Sequence, residues 1–292
     1  MSSKFGGDWT KLKLDIVEAY LKTYLKALSN QRHWVGLGYI DAFAGTGSIE
    51  LAIEENEPGL LDQDVQSEVI RLIRGSAVRA LALEPAFDGY VFVDIDPKAV
   101  AELERLKLEY PDRKISLIPE DANAYLQRIS NPGFWSNRRA VVFLDPAGMQ
   151  VDWSTLEALA RTGAVDVWIW FPLGVAVNRL LTRSGEIDPI WADRLDRIFG
   201  TANWRDVFYE KTVSTTLFGE AEQTRKIATP ETIASYFIER LQSIFPAVAP
   251  EKGIMRNSKN NPIYSLCFAS ANAGKGGQIA IDIASYLLRI GD

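Results

Sequence analysis

Four aspartates stand where short apolar runs end, and this position makes them the residues best suited to chemistry in the sequence. They are Asp41, Asp94, Asp121 and Asp145. Near-continuous apolar runs that alternate with amphipathic segments indicate a parallel sheet covered by helices on both faces. In such sheets ligands bind at the carboxyl ends of the strands. The pattern therefore predicts one ligand site whose carboxylates accept hydrogen bonds from hydroxyl or amino groups.

The loop that follows Asp41 predicts close contact between backbone and ligand. Gly45 and Gly47 lack the Cβ atoms that would block such an approach. No Lys-Ser or Lys-Thr pair follows them, and the third glycine of the dinucleotide fingerprint is missing, which disfavours a P-loop and a nicotinamide-dependent oxidoreductase. Asp41-x-Phe43-x-Gly45-x-Gly47 instead resembles the first motif of class I S-adenosylmethionine-dependent methyltransferases. The resemblance implies that S-adenosylmethionine is the cofactor and that these residues lie against its methionine end.

Two further aspartates suit the nucleoside end of that cofactor. Asp94 is placed to accept both ribose hydroxyls, which is the role of an acid at the second strand end in dinucleotide folds. Asp96 is the alternative ribose acceptor, although the following Pro97 favours a helix cap. Asp121 is placed to accept the adenine amino group, and Ala122 leaves room beside the ring.

Asp145 and Pro146 occupy the predicted reacting position. A sulfonium is already a good leaving group, so methyl transfer mainly requires in-line placement and a lone pair aimed at the methyl carbon. In amino-group methyltransferases an Asp-Pro-Pro-aromatic motif holds the amine and stacks on the base. This chain has Asp145-Pro146-Ala147-Gly148, and the rings that could replace the missing aromatic residue are Tyr39, Trp153 and Phe171. The departure counts against catalysis on a nucleobase.

The elements that position these residues form a single methyltransferase-like domain. We predict a doubly wound α/β fold with a mostly parallel, seven-stranded, Rossmann-like sheet. Its parts are an N-terminal covering helix within 1–30, a helical insertion without strands over 173–249, and a C-terminal hairpin and helix over 250–292 that complete the sheet of domain 1–292. The acidic segment 50–74 makes the interval from Gly47 to Asp94 about twice the usual ~20 residues. We interpret this segment as a long insertion or flap.

Composition restricts the partners of the chain. Its formal net charge of -6 argues against broad adhesion to nucleic acid or anionic membrane, but leaves a local basic groove open. With one cysteine, Cys267, and one histidine, His33, we expect no cysteine or histidine metal site. No apolar run approaches membrane-spanning length, and the polar N-terminus has no signal-peptide core, so we expect a cytoplasmic protein.

The chain as a whole resembles the three-Cys-motif partner protein family of bacteria and phages. The similarity covers nearly the full length, and its motifs include Trp9-Thr10-Lys11-x-Lys13-Leu14, Tyr39-Ile40-Asp41-Ala42-Phe43-Ala44-Gly45-x-Gly47, Gly75-Ser76, Phe92-Val93-Asp94-x-Asp96, Phe143-Leu144-Asp145-Pro146-x-Gly148, Asp166-Val167-Trp168, Phe171-Pro172, Asn178-Arg179 and Tyr264-Ser265-Leu266. The family motif has glycine after Asp-Pro-x, so Gly148 is normal for the group. The resemblance implies a methyltransferase-like fold and a partner protein with three clustered cysteines, itself similar to radical S-adenosylmethionine enzymes.

Two functions from different classes remain open at this point. The first is an S-adenosylmethionine-dependent methyltransferase that acts on an amino or other nucleophilic group of nucleic acid or of a partner. The second is a binding partner of the three-cysteine-motif protein that keeps the cofactor pocket and transfers no methyl group. Asn178-Arg179 is an additional candidate, because an arginine shortly after the fifth strand can clamp a phosphate or carboxylate. No motif identifies the methyl acceptor or the oligomeric state.

Overall fold

The computed structural model describes residues 8–44, 75–146, 148–216, 219–257 and 259–290. The helices in these ranges are α1 (Asp8–Ala27), α2 (75–81), α3 (Pro97–Glu109), α4 (Ala122–Ile129), α5 (Trp153–Arg161), α6 (Pro189–Phe199), α7 (Trp204–Phe208), α8 (Pro230–Gln242) and α9 (Lys275–Ile290). The strands are β1 (Gly36–Ala42), β2 (Gly89–Val93), β3 (Ile115–Ile118), β4 (Arg138–Leu144), β5 (Val165–Phe171), β6 (Tyr209–Thr216), β7 (Gly219–Lys226), β8 (Ala247–Val248), β9 (Ile254–Arg256) and β10 (Pro262–Ser270). A π-helical turn, Leu173–Val177, follows β5 and runs into the short helix Asn178–Leu180.

The central sheet is doubly wound, because strands are added outward from β1 in both directions, toward β3 on one side and toward β8 on the other. Its order is β3-β2-β1-β4-β5-β10-β8, with β9 paired to β10 outside this path. Strands β1 to β5 are parallel to one another, and β10 runs antiparallel between β5 and β8. The predicted Rossmann-like, mostly parallel sheet is therefore confirmed, with eight strands instead of seven because β9 extends it.

Helices cover both faces of this sheet, as the apolar strands require. Alternate side chains of β1 point to opposite faces: Leu37 and Tyr39 pack beneath α1, α2, α3 and α9, whereas Ile40 and Ala42 pack against the α4, α5 and α8 side. All seven residues of β5 are buried, and its sequence is apolar except for Asp166. In the described part of the chain, no helix is both long and apolar enough to cross a membrane.

The region predicted as a helical insertion contains strands, so that part of the prediction was wrong. Between α7 and α8 the antiparallel strands β6 and β7 form a separate two-stranded sheet, paired from Tyr209↔Lys226 to Thr216↔Gly219. The sequence of this hairpin is mostly polar, and Val213 is 66% exposed. Such a polar sequence has no apolar alternation that would identify a hairpin. The predicted C-terminal hairpin is present as β9 and β10, whereas segment 50–74 lies outside the described residues.

Candidate active site

The register of the sheet brings the ends of four strands to the same level. Ala42, which ends β1, pairs with Val93 of β2 and with Leu144 of β4, and Val93 pairs with Ile118 of β3. Each of these four residues is the last of its strand. The residues that follow them therefore emerge side by side at one edge of the sheet, as the aspartate pattern predicted.

Asp145, the first residue after β4, forms an ion pair with a lysine from the N-terminal helix. Lys13 Nζ lies 2.5 Å from Asp145 Oδ2, and the lysine side chain is only 4% exposed against 26% for the aspartate. Nζ also lies 4.6 Å from the centroid of the Trp170 ring and 5.7 Å from that of Phe143. A buried ammonium of this kind is stable only when it is paired, so Lys13 and Asp145 form one unit.

Lys13 is the main functional candidate that the sequence analysis missed. Lys13 appears there only within the motif Trp9-Thr10-Lys11-x-Lys13-Leu14, without a role of its own. However, Lys13 precedes Ile16 by three residues and Val17 by four, which places it on the same helix face as these two buried side chains. A lysine in register with the buried face of an amphipathic helix is the signal that would have identified it.

Asp41 lies on the same face of the sheet, below the Lys13–Asp145 pair. Its side chain is buried, and its Oδ2 accepts a hydrogen bond of 3.3 Å from the Tyr39 hydroxyl. Oδ1 has no hydrogen-bond partner in the part of the chain that the structure describes. Burial raises the pKa of Asp41 to about 7; hydrogen bonding by Ser76 opposes this rise, and the charge of Asp145 adds to it. A buried carboxylate with an unmatched oxygen beside a ligand edge is typical of functional sites.

Phe43 turns the chain sharply after β1. Its φ angle of 66° lies in the left-handed region, which a bulky residue other than glycine rarely adopts. The backbone remains joined to the neighbouring strand, because Ala44 N donates to Val93 O at 3.0 Å. Backbone strain of this kind clusters at ligand sites. Gly45 and Gly47, predicted to continue this loop, lie outside the described residues.

Asp94 and Asp96, which both follow β2, have different roles. Asp94 is buried, and its Oδ1 accepts a hydrogen bond from Asp96 N at 2.7 Å, which fixes the orientation of the carboxylate. Asp96 caps α3 by accepting from Lys98 N at 2.8 Å, so the expectation of a helix cap before Pro97 is confirmed. Between the two acids Ile95 is 71% exposed and presents an apolar surface at the same edge.

Asp121 caps a helix, and its neighbour Asn123 organises the loop after Asp145. Asp121 Oδ1 accepts from Ala124 N at 2.8 Å at the start of α4, while Ala122 is buried in the core. Asn123 was not singled out from the sequence. Its amide donates to Gln150 O at 2.8 Å and accepts from Asp152 N at 3.0 Å, which ties α4 to the segment following the buried Pro146.

The remaining candidates are structural or have no assigned role. Tyr39, Trp153 and Phe171 are at most 4% exposed, so none of these rings presents a face to a ligand at the edge of the sheet. Asn178 accepts hydrogen bonds from Lys226 at both its backbone and side-chain oxygens, at 3.1 and 2.8 Å. These bonds hold β7 against the segment after β5. The hypothesis that Arg179 clamps a phosphate or carboxylate stays a prediction.

Comparison with known proteins gives fold-level likeness only. No family model matches the sequence, and no curated protein matches it. The chain is similar in structure to an S-adenosylmethionine-dependent methyltransferase from Clostridium acetobutylicum, with 11% identity, coverage of 86% of this chain and 91% of that one, and a TM-score of 0.31. It is also similar to the plantazolicin methyltransferase BpumL in complex with SAH (9% identity, 89% and 82% coverage, TM-score 0.32) and to a conserved hypothetical protein of Streptococcus pyogenes (16%, 69% and 93%, TM-score 0.31). The strand order, and not this likeness, defines the fold.

Proposed function

We propose that the protein binds S-adenosylmethionine at the carboxyl edge of its sheet and transfers the methyl group to an amino or other nucleophilic group held at Asp145. The observation that carries this proposal is the strand register, which brings Asp94 and Asp145 to one edge of a sheet with methyltransferase strand order. In open α/β sheets this edge is where ligands bind.

The residues at the edge fit the parts of the cofactor. Asp94, whose orientation is fixed by Asp96 N, would accept the ribose hydroxyls. Ile95, with its exposed apolar side chain, would cover one face of the adenine ring, and Asp121 would accept the adenine amino group. The methionine end would lie against Asp41 and the loop that contains Phe43, Gly45 and Gly47. In these assignments the acceptors for the polar groups of the ligand would all lie at the carboxyl edge of the sheet.

The chain would contribute position and proton acceptance to the reaction. S-adenosylmethionine supplies an electrophilic methyl group on a sulfonium, so the acceptor needs a free lone pair in line with it. Asp145 would hold the acceptor, with Pro146 fixing the backbone beneath it, and would take the proton that the acceptor loses. Lys13 keeps this carboxylate in place through a 2.5 Å contact. The acceptor itself would be an amino group of a partner protein or of nucleic acid, the latter being opposed by the net charge of -6.

Two observations favour a second function. Asp145 is already paired with Lys13, and the motif Asp145-Pro146-Ala147-Gly148 lacks an aromatic residue. Both features suit a protein that keeps the cofactor site and acts through complex formation with a protein bearing a three-cysteine motif, the partner implied by the family resemblance. In that case the cofactor would bind, but no methyl group would be transferred to a separate substrate.

Calorimetric titration with S-adenosylmethionine tests the cofactor site. We expect the wild-type protein to bind, and Asp94→Ala to lose at least tenfold in affinity, since hydrogen bonds to a charged group contribute about 1.5–3 kcal/mol each. Asp96→Ala is the matched control, because it removes a neighbouring acid that serves as a helix cap. Thermal unfolding verifies that both variants fold. Failure of the wild type to bind, or equal affinity in Asp94→Ala, would remove the proposal.

Transfer of a labelled methyl group separates the two functions. Incubation with mixed nucleic acid and protein is expected to label an acceptor in the wild type, and Asp145→Asn is expected to abolish labelling while retaining cofactor binding. If the cofactor binds but nothing is labelled, and a cysteine-motif protein forms a stable complex with the chain, the second function is favoured.

A further inference from the structure

The ammonium group of Lys13 occupies the place in which an acceptor amine would be held. We propose that Lys13 is itself a methyl acceptor, so that the protein methylates the Nζ atom of its own N-terminal helix. This inference rests on the proposed function, because it requires the cofactor to bind at the same edge. It deepens that function by assigning a primary amine as the substrate class of the site.

The first support is the contact between acceptor and carboxylate. Lys13 Nζ lies 2.5 Å from Asp145 Oδ2, slightly closer than the usual charge-assisted N–H···O bond of about 2.7–2.9 Å, so the carboxylate holds the amine directly. The Asp145 side chain is 26% exposed toward the edge of the sheet, whereas that of Lys13 is 4% exposed. The amine therefore approaches the reacting position from inside the protein, and not from solvent.

The second support is that the helix carrying Lys13 is fixed to the sheet. The Tyr20 hydroxyl donates to Asp166 Oδ2 at 2.7 Å, and Arg79 of α2 contacts Asp15 at 2.5 Å and Glu18 at 3.0 Å. The first contact joins α1 to β5, and the other two join it to α2. Since α1 is held in this way, the transfer would occur within one chain, and its rate would not depend on protein concentration.

The third support is the surroundings of the nitrogen. Nζ lies over the Trp170 ring at 4.6 Å and near the Phe143 ring at 5.7 Å. Tyr264 stacks on Trp170, with 4.6 Å between the ring centroids and 21° between the planes. Aromatic faces attract methylated ammonium groups as well as the unmodified ion. The product of the reaction would therefore stay in the same place, with its charge still paired to Asp145.

The proposed step balances in atoms and charge. Lys13 Nζ gives one proton to Asp145, and the resulting lone pair forms the new N–C bond. The S–C bond of the cofactor breaks with its electron pair going to sulfur, which leaves a neutral thioether. The protonated secondary amine on Lys13 keeps its positive charge, and Asp145 releases its proton to solvent through its exposed side.

Mass spectrometry provides the direct test. The purified protein is first analysed for a methyl group already present on Lys13, then incubated with S-adenosylmethionine carrying a deuterated methyl group and mapped by peptide. We expect methylation at Lys13, either complete on isolation or appearing with a first-order rate that is the same at different protein concentrations. Lys22→Arg is the matched control on the same helix, because Lys22 is 60% exposed and pairs only with Glu18 among the described residues. This variant should label like the wild type.

Two variants and one binding measurement make the outcomes distinct. Lys13→Arg should lose the label at this peptide, and Asp145→Asn should bind the cofactor and leave Lys13 unmodified. If the wild type binds the cofactor and Asp94→Ala does not, yet Lys13 carries no methyl group, this inference is overturned and the proposed function stands. Labelling spread over exposed lysines such as Lys22 would also overturn it. Absence of cofactor binding would remove both.

Discussion

The N-terminal helix meets the sheet at two polar contacts, and the contrast between them separates structure from function. Near the start of β5, Tyr20 donates to Asp166. At the carboxyl edge, Lys13 donates to Asp145. Both contacts join a side chain of α1 to a carboxylate on the same face of the sheet, so packing alone does not distinguish them.

The difference lies in how completely the carboxylates are satisfied. Asp166 accepts from Tyr20 at 2.7 Å and is also hydrogen-bonded by Ser270, while burial raises its pKa to about 6. Next to the Lys13–Asp145 contact, Asp41 is also buried, but its Oδ1 has no hydrogen-bond partner among the described residues. Asp145 itself is partly exposed. A fully satisfied buried carboxylate supports the fold, whereas an unmatched one beside an edge indicates a site for a ligand.

The largest expected effect comes from breaking the contact at the carboxyl edge. Asp145→Ala would leave the Lys13 ammonium buried without a counter-charge, and we expect it to lower the free energy of unfolding by about 3–5 kcal/mol. Lys13→Met should cost less, because the Asp145 carboxylate can hydrate through its exposed side. Urea unfolding curves measure both values.

The double variant Lys13→Met/Asp145→Ala provides the control for this asymmetry. It removes both charges, so it should recover most of the stability lost in Asp145→Ala. Equal losses in the two single variants, or no recovery in the double variant, would show that the ion pair does not control stability at this edge.

The dependence of stability on pH should come from two buried carboxyl groups, those of Asp166 and Asp41. The folded-state pKa values of Asp166 and Asp41, about 6 and about 7, lie above the ordinary value of 3.8. The folded state therefore binds more protons than the unfolded state between about pH 4 and 7. The contribution of these groups is fully present below about pH 4 and is lost as the pH rises through 6 and 7.

Variants at each carboxylate divide this pH dependence into two ranges. Asp166→Asn should flatten the stability curve up to about pH 6, and Asp41→Asn should flatten it up to about pH 7. We expect the difference between wild type and Asp41→Asn to change by about 4 kcal/mol between pH 4 and 8, since one pKa unit corresponds to about 1.4 kcal/mol. Chemical denaturation across this range tests the prediction, and a difference that does not vary with pH would contradict it.

The fold and the edge of the site were predictable from the sequence because both depend on strong local patterns. The apolar runs of β1, β2, β4 and β5 end abruptly at Asp41, Asp94, Asp145 and Pro172. Parallel pairing then brings such ends together whatever the details of packing. The cap at Asp96 was predictable for a similar reason, since an acid before proline is a local signal of a helix start.

What the sequence analysis missed depends on contacts between distant segments. Lys13 and Asp145 are 132 positions apart, and the role of the lysine becomes visible only when α1 is placed on the sheet. Asp166 was noted only as part of a family motif, although it accepts a hydrogen bond from Tyr20, 146 positions away in the sequence. The β6–β7 hairpin was missed because its polar sequence carries no apolar periodicity.

Removing the hydroxyl group at the structural contact should have a moderate effect. Tyr20→Phe leaves Asp166 Oδ2 without this donor, and we expect a loss of about 1–2 kcal/mol in the free energy of unfolding. The hydrogen bond from Tyr20 lowers the pKa of Asp166, so its removal should also raise that pKa further. Tyr286→Phe, at a ring that is 62% exposed, is the control and should leave stability unchanged. An equal effect in both variants would contradict the structural role of Tyr20.

The smallest expected effect separates helix capping from ligand binding at Asp121. Asp121→Ala removes the acceptor for Ala124 N and should cost about 1 kcal/mol of stability, whereas Asp121→Asn keeps a good N-cap and should cost little. If Asp121 also accepts the adenine amino group, Asp121→Asn should weaken S-adenosylmethionine binding severalfold while the protein remains as stable as the wild type. Parallel calorimetry and thermal unfolding of the two variants measure both properties. Unchanged affinity in Asp121→Asn would assign this residue to the structure alone, and would restrict the ligand-binding acids at the edge to Asp41, Asp94 and Asp145.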